Sequence, residues 1–384
     1  MDTALLHLTD RIRAALADGK PLRLRGHGSK DFYGHSLQGE VLDTTGLSSI
    51  VSYEPSELVV TVRAGTPLAE LEQVLAERGQ CLPFEPPHFG WSAASQTGTG
   101  TVGGMVASGL AGPARASVGG VRDYVLGLQL VNGRAEHLVF GGQVMKNVAG
   151  YDVSRLMVAA MGTLGLITEV SLKVMPVAPA EATLVFALGQ HDALEQLHRW
   201  GGQPLPLNAS CWVRDDSEPA LGARELLFVR LRGAVAAVEA ACRNMLAEVP
   251  GQRMDKTQAQ ADWALCRNQQ LPFFKRPSDE SYALWRISVP QTAPVLDLAW
   301  PQLVEWHGAL RWLWAPVLAA AQVQAAAQQV GGSAAIFVAN DAHEISAKAR
   351  NDVQNTAQAT IGQRLKDSFD PQGIFNPARM AAQQ

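Results

Sequence analysis

The chain has 384 residues, 47% of them hydrophobic and 18% charged, with a formal net charge of −4. That length suits two domains, or three, around a large buried core. The mildly acidic balance has no basic stripe to follow a phosphate backbone, which argues against nucleic-acid binding.

Residues 1–20 alternate apolar positions with Asp, Arg and Lys, a pattern that predicts an amphipathic helix and not a signal peptide or membrane span. A short strand over Pro21–Arg25 stops at Gly26-His27-Gly28, and further strands are expected at Gln38–Asp43, Ile50–Tyr53 and Leu58–Arg63. Pro67 opens a helix whose apolar residues recur every three or four positions until Gly79. Met105–Leu110 reads as a short helix. Asn132-Gly133 is a strong turn signal between strands at Val125–Val131 and His137–Phe140. A strand over Ile167–Val174 precedes Pro176 and Pro179, where a domain boundary is expected, giving domains 1–178 and 179–384.

The second domain reads as strand Glu225–Leu231, helix Val235–Glu248, strands Ser281–Val289 and Ala309–Trp314, helix Val317–Val330 and strand Ala334–Ala339. This is an α+β pattern of antiparallel strands with helices on one face. Helix Ala347–Phe369 and the segment Asp370-Pro371-Gln372-Gly373-Ile374-Phe375-Asn376-Pro377 close the chain. The longest uncharged run, Leu313–Asp341, is broken by Pro316 and Gly331-Gly332 and does not suit a membrane span. Cys81, Cys211, Cys242 and Cys266 have no CxxC spacing, so the expectation is four buried thiols and no zinc or iron–sulfur site. A cytoplasmic location is the default.

Chemistry concentrates in four loops. Arg25-Gly26-His27-Gly28-Ser29-Lys30 follows a strand and can turn consecutive N–H groups toward phosphate oxygens. Gly98-Thr99-Gly100-Thr101-Val102-Gly103 satisfies GxGxxG, but the Pro-rich stretch before it is loop and not strand, so a Rossmann reading is rejected. Gly103-Gly104 before Met105 would place free N–H groups at a helix start. Arg122-Asp123-Tyr124 precedes the Val125 strand and reads as a surface ion pair. Lys146, Asn147, Tyr151 and Asp152 crowd one polar turn ahead of Gly162-Thr163-Leu164-Gly165, where glycine allows close backbone approach to a ligand.

In this order the loops resemble the PCMH-type FAD-binding domain of the vanillyl-alcohol-oxidase superfamily, over roughly residues 5–178. The segments LPFEPPH (82–88), GLAGP (109–113) and FGGQVMKNVAGYD (140–152) are similar to the FAD-binding subunit (E) family of bacterial glycolate oxidase. The resemblance implies two α+β subdomains holding FAD, followed by a smaller α+β cap with an antiparallel sheet and a terminal FAD-side motif at 370–377. It assigns Gly26, His27, Gly28 and Ser29 to the pyrophosphate. Pro87, Thr101, Gly103, Gly104 and Ser108 fall along the ribityl and pyrophosphate, and Gly162, Gly165 and Ile167 at the flavin.

Ser29 stands where covalently tethered relatives carry histidine, which implies non-covalent FAD. The resemblance also implies oxidation of glycolate to glyoxylate, with a related flavin subunit (D-type) and an iron–sulfur subunit (F-type) as partners, through which a peripheral place at the inner membrane is open. The histidine-rich metal motifs of related 2-hydroxy-acid dehydrogenases are missing, and Gly331–Ile336 has no histidine. No catalytic residue is therefore assigned. Arg286, Arg311 and Lys146 are the candidates for binding substrate charge, and an electron-relay role without substrate chemistry stays open.

Overall fold

A computed structural model describes residues 3–35, 37–89, 100–142, 152–215, 222–339 and 356–380. The chain divides into two units: residues 1–111, 120–177 and 354–384 form the first, and residues 112–119 and 178–353 the second.

In the first unit, α1 (Thr3–Asp18) turns Leu5, Leu8, Ile12 and Ala15 into a core shared with Leu22, Leu42, Leu47, Ile374 and Phe375. Their spacing of three and four puts them on one helix face. The parallel pair β1 (Leu22–Arg25) and β2 (Glu40–Asp43) supplies Leu22 and Leu42 to this core. A second core lies on a five-stranded antiparallel sheet. Its strands are β3 (Ile50–Glu54), β4 (Val59–Arg63), β6 (Val125–Val131), β7 (His137–Gly141) and β8 (Leu166–Lys173), in the order β3-β4-β8-β6-β7. The short strands β5 (Gln80–Cys81) and β9 (Met175–Pro176) pair separately.

Helices α2 (Leu68–Ala76) and α3 (Val102–Ser108) bury Leu68, Leu71, Leu75, Val102, Met105 and Val106 against this second core. The β6–β7 hairpin turns where expected: the Asn132 Oδ1 accepts from the N–H groups of Arg134 (2.9 Å) and Glu136 (3.0 Å). The paired cores match the two subdomains implied by the resemblance.

In the second unit, eight strands form one wholly antiparallel sheet of order β13-β10-β12-β11-β15-β16-β14-β17. They are β10 (Ala180–Ala187), β11 (Leu207–Asp215), β12 (Arg224–Gly233), β13 (Gly251–Arg253), β14 (Tyr282–Ser288), β15 (Gln302–Glu305), β16 (Leu310–Pro316) and β17 (Ser333–Val338). Helices α6 (Gln190–Gly201) and α7 (Val235–Glu248) pack on Ala182, Leu184, Phe186, Leu227, Val229 and Leu231. Helix α9 (Ala320–Gln329) packs on Trp285, Ile287, Leu313 and Ala315.

Not every helix lies on that face, as the sequence reading had expected. Helix α8 (Lys256–Arg267) covers the opposite one, where the Trp263 indole N–H donates to Thr183, which alternates with Ala182 and Leu184. That face carries the buried charges Arg230 and Glu305, and α8 supplies their neighbours: Trp263 under the Arg230 guanidinium at 4.7 Å, and Cys266 Sγ 3.4 Å from Glu305. The shorter α4 (Arg115–Val118) belongs with this unit, and α5 (Val153–Leu156) with the first.

The first unit gives way to the second between Val177 and Ala178, while residues 354–384 return to the first unit and 112–119 sit with the second. Burial of Ile374 and Phe375 beside Leu5 and Ile12 explains the return. The C-terminal helix α10 (Thr356–Phe369) is described from Thr356; the part expected before it lies outside the described residues. No helix among the described residues is long and apolar enough to cross a membrane.

Candidate functional site

The glycine loop leaves β1 at Arg25 and is held from three sides. Gly28 has φ +72°, a left-handed conformation, and the Arg25 guanidinium occupies the place of any side chain there. Asp31 Oδ2 accepts from Arg25 Nε (2.9 Å) and Arg23 Nη2 (3.1 Å). Buried Arg379 donates to the carbonyls of His35 (2.6 Å), Lys30 (3.0 Å) and Asp31 (3.2 Å).

Asn376 clamps the strand itself. Its Oδ1 accepts from the Leu24 N–H at 2.8 Å, and its Nδ2 donates to the Met161 carbonyl at 2.7 Å. Behind it, Asp370 accepts from the N–H groups of Ile374 (3.1 Å) and Phe375 (2.8 Å) and pairs with Lys366 at 2.5 Å. The terminal segment thus fastens the glycine loop, a role that its sequence did not disclose.

Two adjoining cavities of about 90 and 80 Å³ share Leu24, Arg25, Gly26, Gly104, Ala107, Met161 and Asn376. The first also reaches His27, Gly28, Ser29, Thr101 and Ser108, and the second Gly103, Gly162, Gly165 and Ile167. Pro87 is buried and lines neither. The remaining eleven residues chosen for a cofactor therefore meet along one groove, brought from segments far apart in the chain.

The donors are arranged differently from the expectation. The Gly103 N–H donates to the Ala64 carbonyl at 2.7 Å and the Gly104 N–H to Thr101 Oγ1 at 3.2 Å, so these groups at the start of α3 already have acceptors. Thr101 is the N-cap of α3, and this is its ordinary use. The open donors are in the glycine loop instead: the backbone N–H groups of Gly28, Ser29 and Lys30 have no protein acceptor among the described residues.

Ser29 is buried, and its hydroxyl accepts from Lys30 Nζ at 3.2 Å. Arg25, Lys30 and Arg379 line the first cavity; among the described residues lining it the one carboxylate is Asp31, which pairs with Arg25 and Arg23. Burial lowers the Lys30 ammonium pKa to about 8. Convergent N–H groups and excess positive charge suit a diphosphate. Lys30 and Asn376 lie in segments singled out from the sequence but were not assigned as site residues; Asp31 and Arg379 were missed.

In the second unit the two arginines part ways. Arg311 is fully buried, and its guanidinium donates to the carbonyls of Gly308 (3.2 Å), Pro294 (2.7 Å) and Ala293 (2.8 Å). A carboxylate receptor needs donors to spare; Arg311 is committed to the fold. Arg286 lies 5.4 Å from the Trp306 ring centre, and its N–H donors have no acceptor among the described residues. Lys146, with Asn147 and Tyr151, lies outside the described residues; Asp152 caps α5 through the Arg155 N–H at 3.1 Å.

Sequence reading also missed a strained turn: Trp306 (φ +54°), His307 (+55°) and Gly308 (+102°) are successive left-handed residues. His307 sits between Ser117 Oγ (2.9 Å from Nε2) and Ser210 Oγ (3.1 Å from Nδ1), and burial lowers its pKa to about 4. A folded-state pKa below the unfolded value of about 6.5 means that the unfolded chain binds the proton first. Stability is then full above about pH 6.5 and falls as the pH drops toward 4, by at most on the order of 3 kcal/mol. His307→Asn, which tolerates the left-handed turn, is expected to flatten this loss in urea-unfolding midpoints measured from pH 7 to 4.5. Identical slopes for both proteins would assign the effect elsewhere.

A cavity of about 960 Å³ under α8 has an apolar wall of Val185, Val213, Phe228, Trp263 and Trp314 and a polar edge of Asp215, Arg224 and Asp262. It is larger than the groove but holds none of the glycine loops.

Residues 6–141 match the family described as FAD binding domain. The whole chain is similar to glycolate oxidase subunit GlcE of Escherichia coli (strain K12), with 42% identity covering 98% of this chain and 97% of that protein. Glycolate oxidase subunit GlcD of Bacillus subtilis is 30% identical over 41% of this chain and 32% of its own length. A structure of alkyldihydroxyacetonephosphate synthase superposes with a TM-score of 0.66 at 14% identity, over 96% of this chain and 75% of that one, which speaks for the fold alone. Fold, glycine groove and near full-length similarity agree: the chain binds FAD and belongs to the GlcE family of FAD-linked glycolate oxidase subunits.

Proposed function

We propose that this chain takes part in oxidation of glycolate to glyoxylate, its FAD carrying electrons onward to an iron–sulfur subunit within a complex that also holds a D-type flavin subunit. The observation that carries the reading is the groove, where the glycine loop, the α3 turn and the Gly162–Ile167 segment meet in a chain similar to GlcE over nearly its whole length. FAD is held without a covalent bond, since Ser29 stands at the tether position and its hydroxyl is engaged by Lys30. Glycolate's carboxylate needs a cation with donors to spare, and Arg286 is the candidate that offers them.

An electron-relay role is the second reading. Commitment of Arg311 to backbone carbonyls favours it, because it removes one of the three cations proposed for substrate.

Both readings are tested by purifying the chain alone and with co-expressed partners, then adding glycolate without oxygen. Bleaching of the flavin band in the single chain, with an increase of about tenfold or more in KM for Arg286→Gln, supports substrate chemistry here. Bleaching only in the complex supports the relay. After acid precipitation, all flavin is expected in the supernatant; colour in the pellet contradicts non-covalent binding.

A further inference from the structure

We propose that Lys30 is the cationic ligand of the flavin dinucleotide's diphosphate, a specific side-chain partner added to the backbone donors of the glycine loop. The inference rests on the FAD reading and deepens it. Lys30 lines the larger of the two groove cavities with Gly28 and Ser29, whose N–H groups have no protein acceptor among the described residues. A Cβ placed on Gly100 would lie 2.8 Å from both Lys30 Nζ and Ser29 Oγ, so the ammonium, the hydroxyl and that glycine converge on one point.

The ammonium has no carboxylate partner among the described residues. Its polar contact is Ser29 Oγ at 3.2 Å, and the Phe89 ring lies 5.9 Å away. Asp31, the nearby carboxylate, is occupied by Arg23 and Arg25. A partly buried ammonium satisfied by a hydroxyl and an aromatic ring is under-compensated, and a polyanion arriving beside it supplies the missing charge.

This predicts a proton linkage. Lys30 titrates at about 8 in the empty groove, because burial disfavours its charged form. A diphosphate reverses that preference and raises the pKa. Binding should then take up little proton at pH 6.5, about half a proton at pH 8 and nearly one at pH 9.5, and affinity should fall as the pH rises through 8. The other charged groups around Lys30 are Arg25, Asp31 and Arg379, with His27 on the same loop and the His88–Glu72 pair (2.7 Å) next to Phe89. His27, on the same loop, is varied as a control.

The test uses the full-length chain depleted of flavin and titrated with FAD calorimetrically at pH 7, 8 and 9, in buffers of different ionisation enthalpy. Lys30→Gln is expected to weaken FAD binding about 10- to 100-fold, the value of one charge-assisted contact, and to abolish proton uptake at pH 8. Lys30→Arg keeps the charge at every pH, so it should bind within a few-fold of wild type yet show no uptake; this separates charge from packing. His27→Gln should keep the uptake at pH 8. Wild-type affinity in Lys30→Gln, or uptake that survives in it or vanishes in His27→Gln, overturns the assignment while leaving FAD binding intact. Failure of the folded wild-type chain to bind FAD overturns the assignment together with the flavin reading.

Discussion

Gly104→Val is expected to leave the protein folded and to weaken FAD binding roughly 100-fold, equivalent to about 3 kcal/mol. Gly104 lines both cavities of the groove. A Cβ built there meets only Thr101 Oγ1, at 3.2 Å, within 4 Å. The protein can therefore accept the side chain with a small adjustment, and the space it fills is space the cofactor needs. Gly165 does not give so clean a test, because its Cβ would stand 3.0 Å from the Val131 carbonyl and 3.2 Å from Leu130 Cδ1. Gly165→Val should lower stability as well as affinity. Quenching of FAD fluorescence on titration gives the dissociation constant, and circular dichroism reports the fold. A Gly104→Val protein with wild-type affinity would remove this glycine from the cofactor site.

Asp370→Ala should lower the unfolding midpoint of the first unit by roughly 10 °C, from a loss of about 3–5 kcal/mol. The carboxylate is 1% exposed and serves two backbone N–H groups as well as Lys366. Its removal leaves those N–H groups without their acceptor in a region that water does not reach, and leaves the Lys366 ammonium with only the carbonyls of Thr163 and Phe375. Asp370→Asn keeps one acceptor and should cost less. Thermal scans followed by circular dichroism distinguish them; a midpoint within 2 °C of wild type for the alanine variant (a shift of under about 1 kcal/mol) would show that the segment is held by its apolar residues alone.

Much of the first unit was legible because its signals are local. Asn132-Gly133 turns its hairpin, Pro67 and Gly79 bracket α2, and glycines mark the groove. What binds these parts together was not legible. Asn376 and Arg379 act on residues more than 300 positions away, and no periodicity reports such a contact. In the second unit, β11 went unseen because Asn208 and Ser210 interrupt its apolar run, although both are buried and Asn208 accepts from Arg230 at 2.7 Å. Helix α8 was hidden by its polar composition, yet Trp263 and Cys266 anchor it. Arg311 looked like a substrate ligand because the sequence shows a cation beside tryptophans, but not the three carbonyls that engage each of its nitrogens inside the fold.

The bond between Leu24 and Asn376 joins positions 352 residues apart. During synthesis β1 emerges early, and its clamp is made only after the intervening chain has been translated. Loop-closure statistics set the entropic cost of such a contact at about 5 kcal/mol for a flexible chain, and each halving of the loop saves only about 0.6 kcal/mol. Prior folding of residues 178–353 therefore shortens the search without greatly changing its thermodynamics. The order of events is what changes: a ribosome-bound chain can complete the eight-stranded sheet while its glycine loop still lacks Asn376 and Arg379. On this order of events, cofactor loading is expected to follow closure of these contacts, and a chain stalled before that point is expected to accumulate as an apoprotein with a finished second unit.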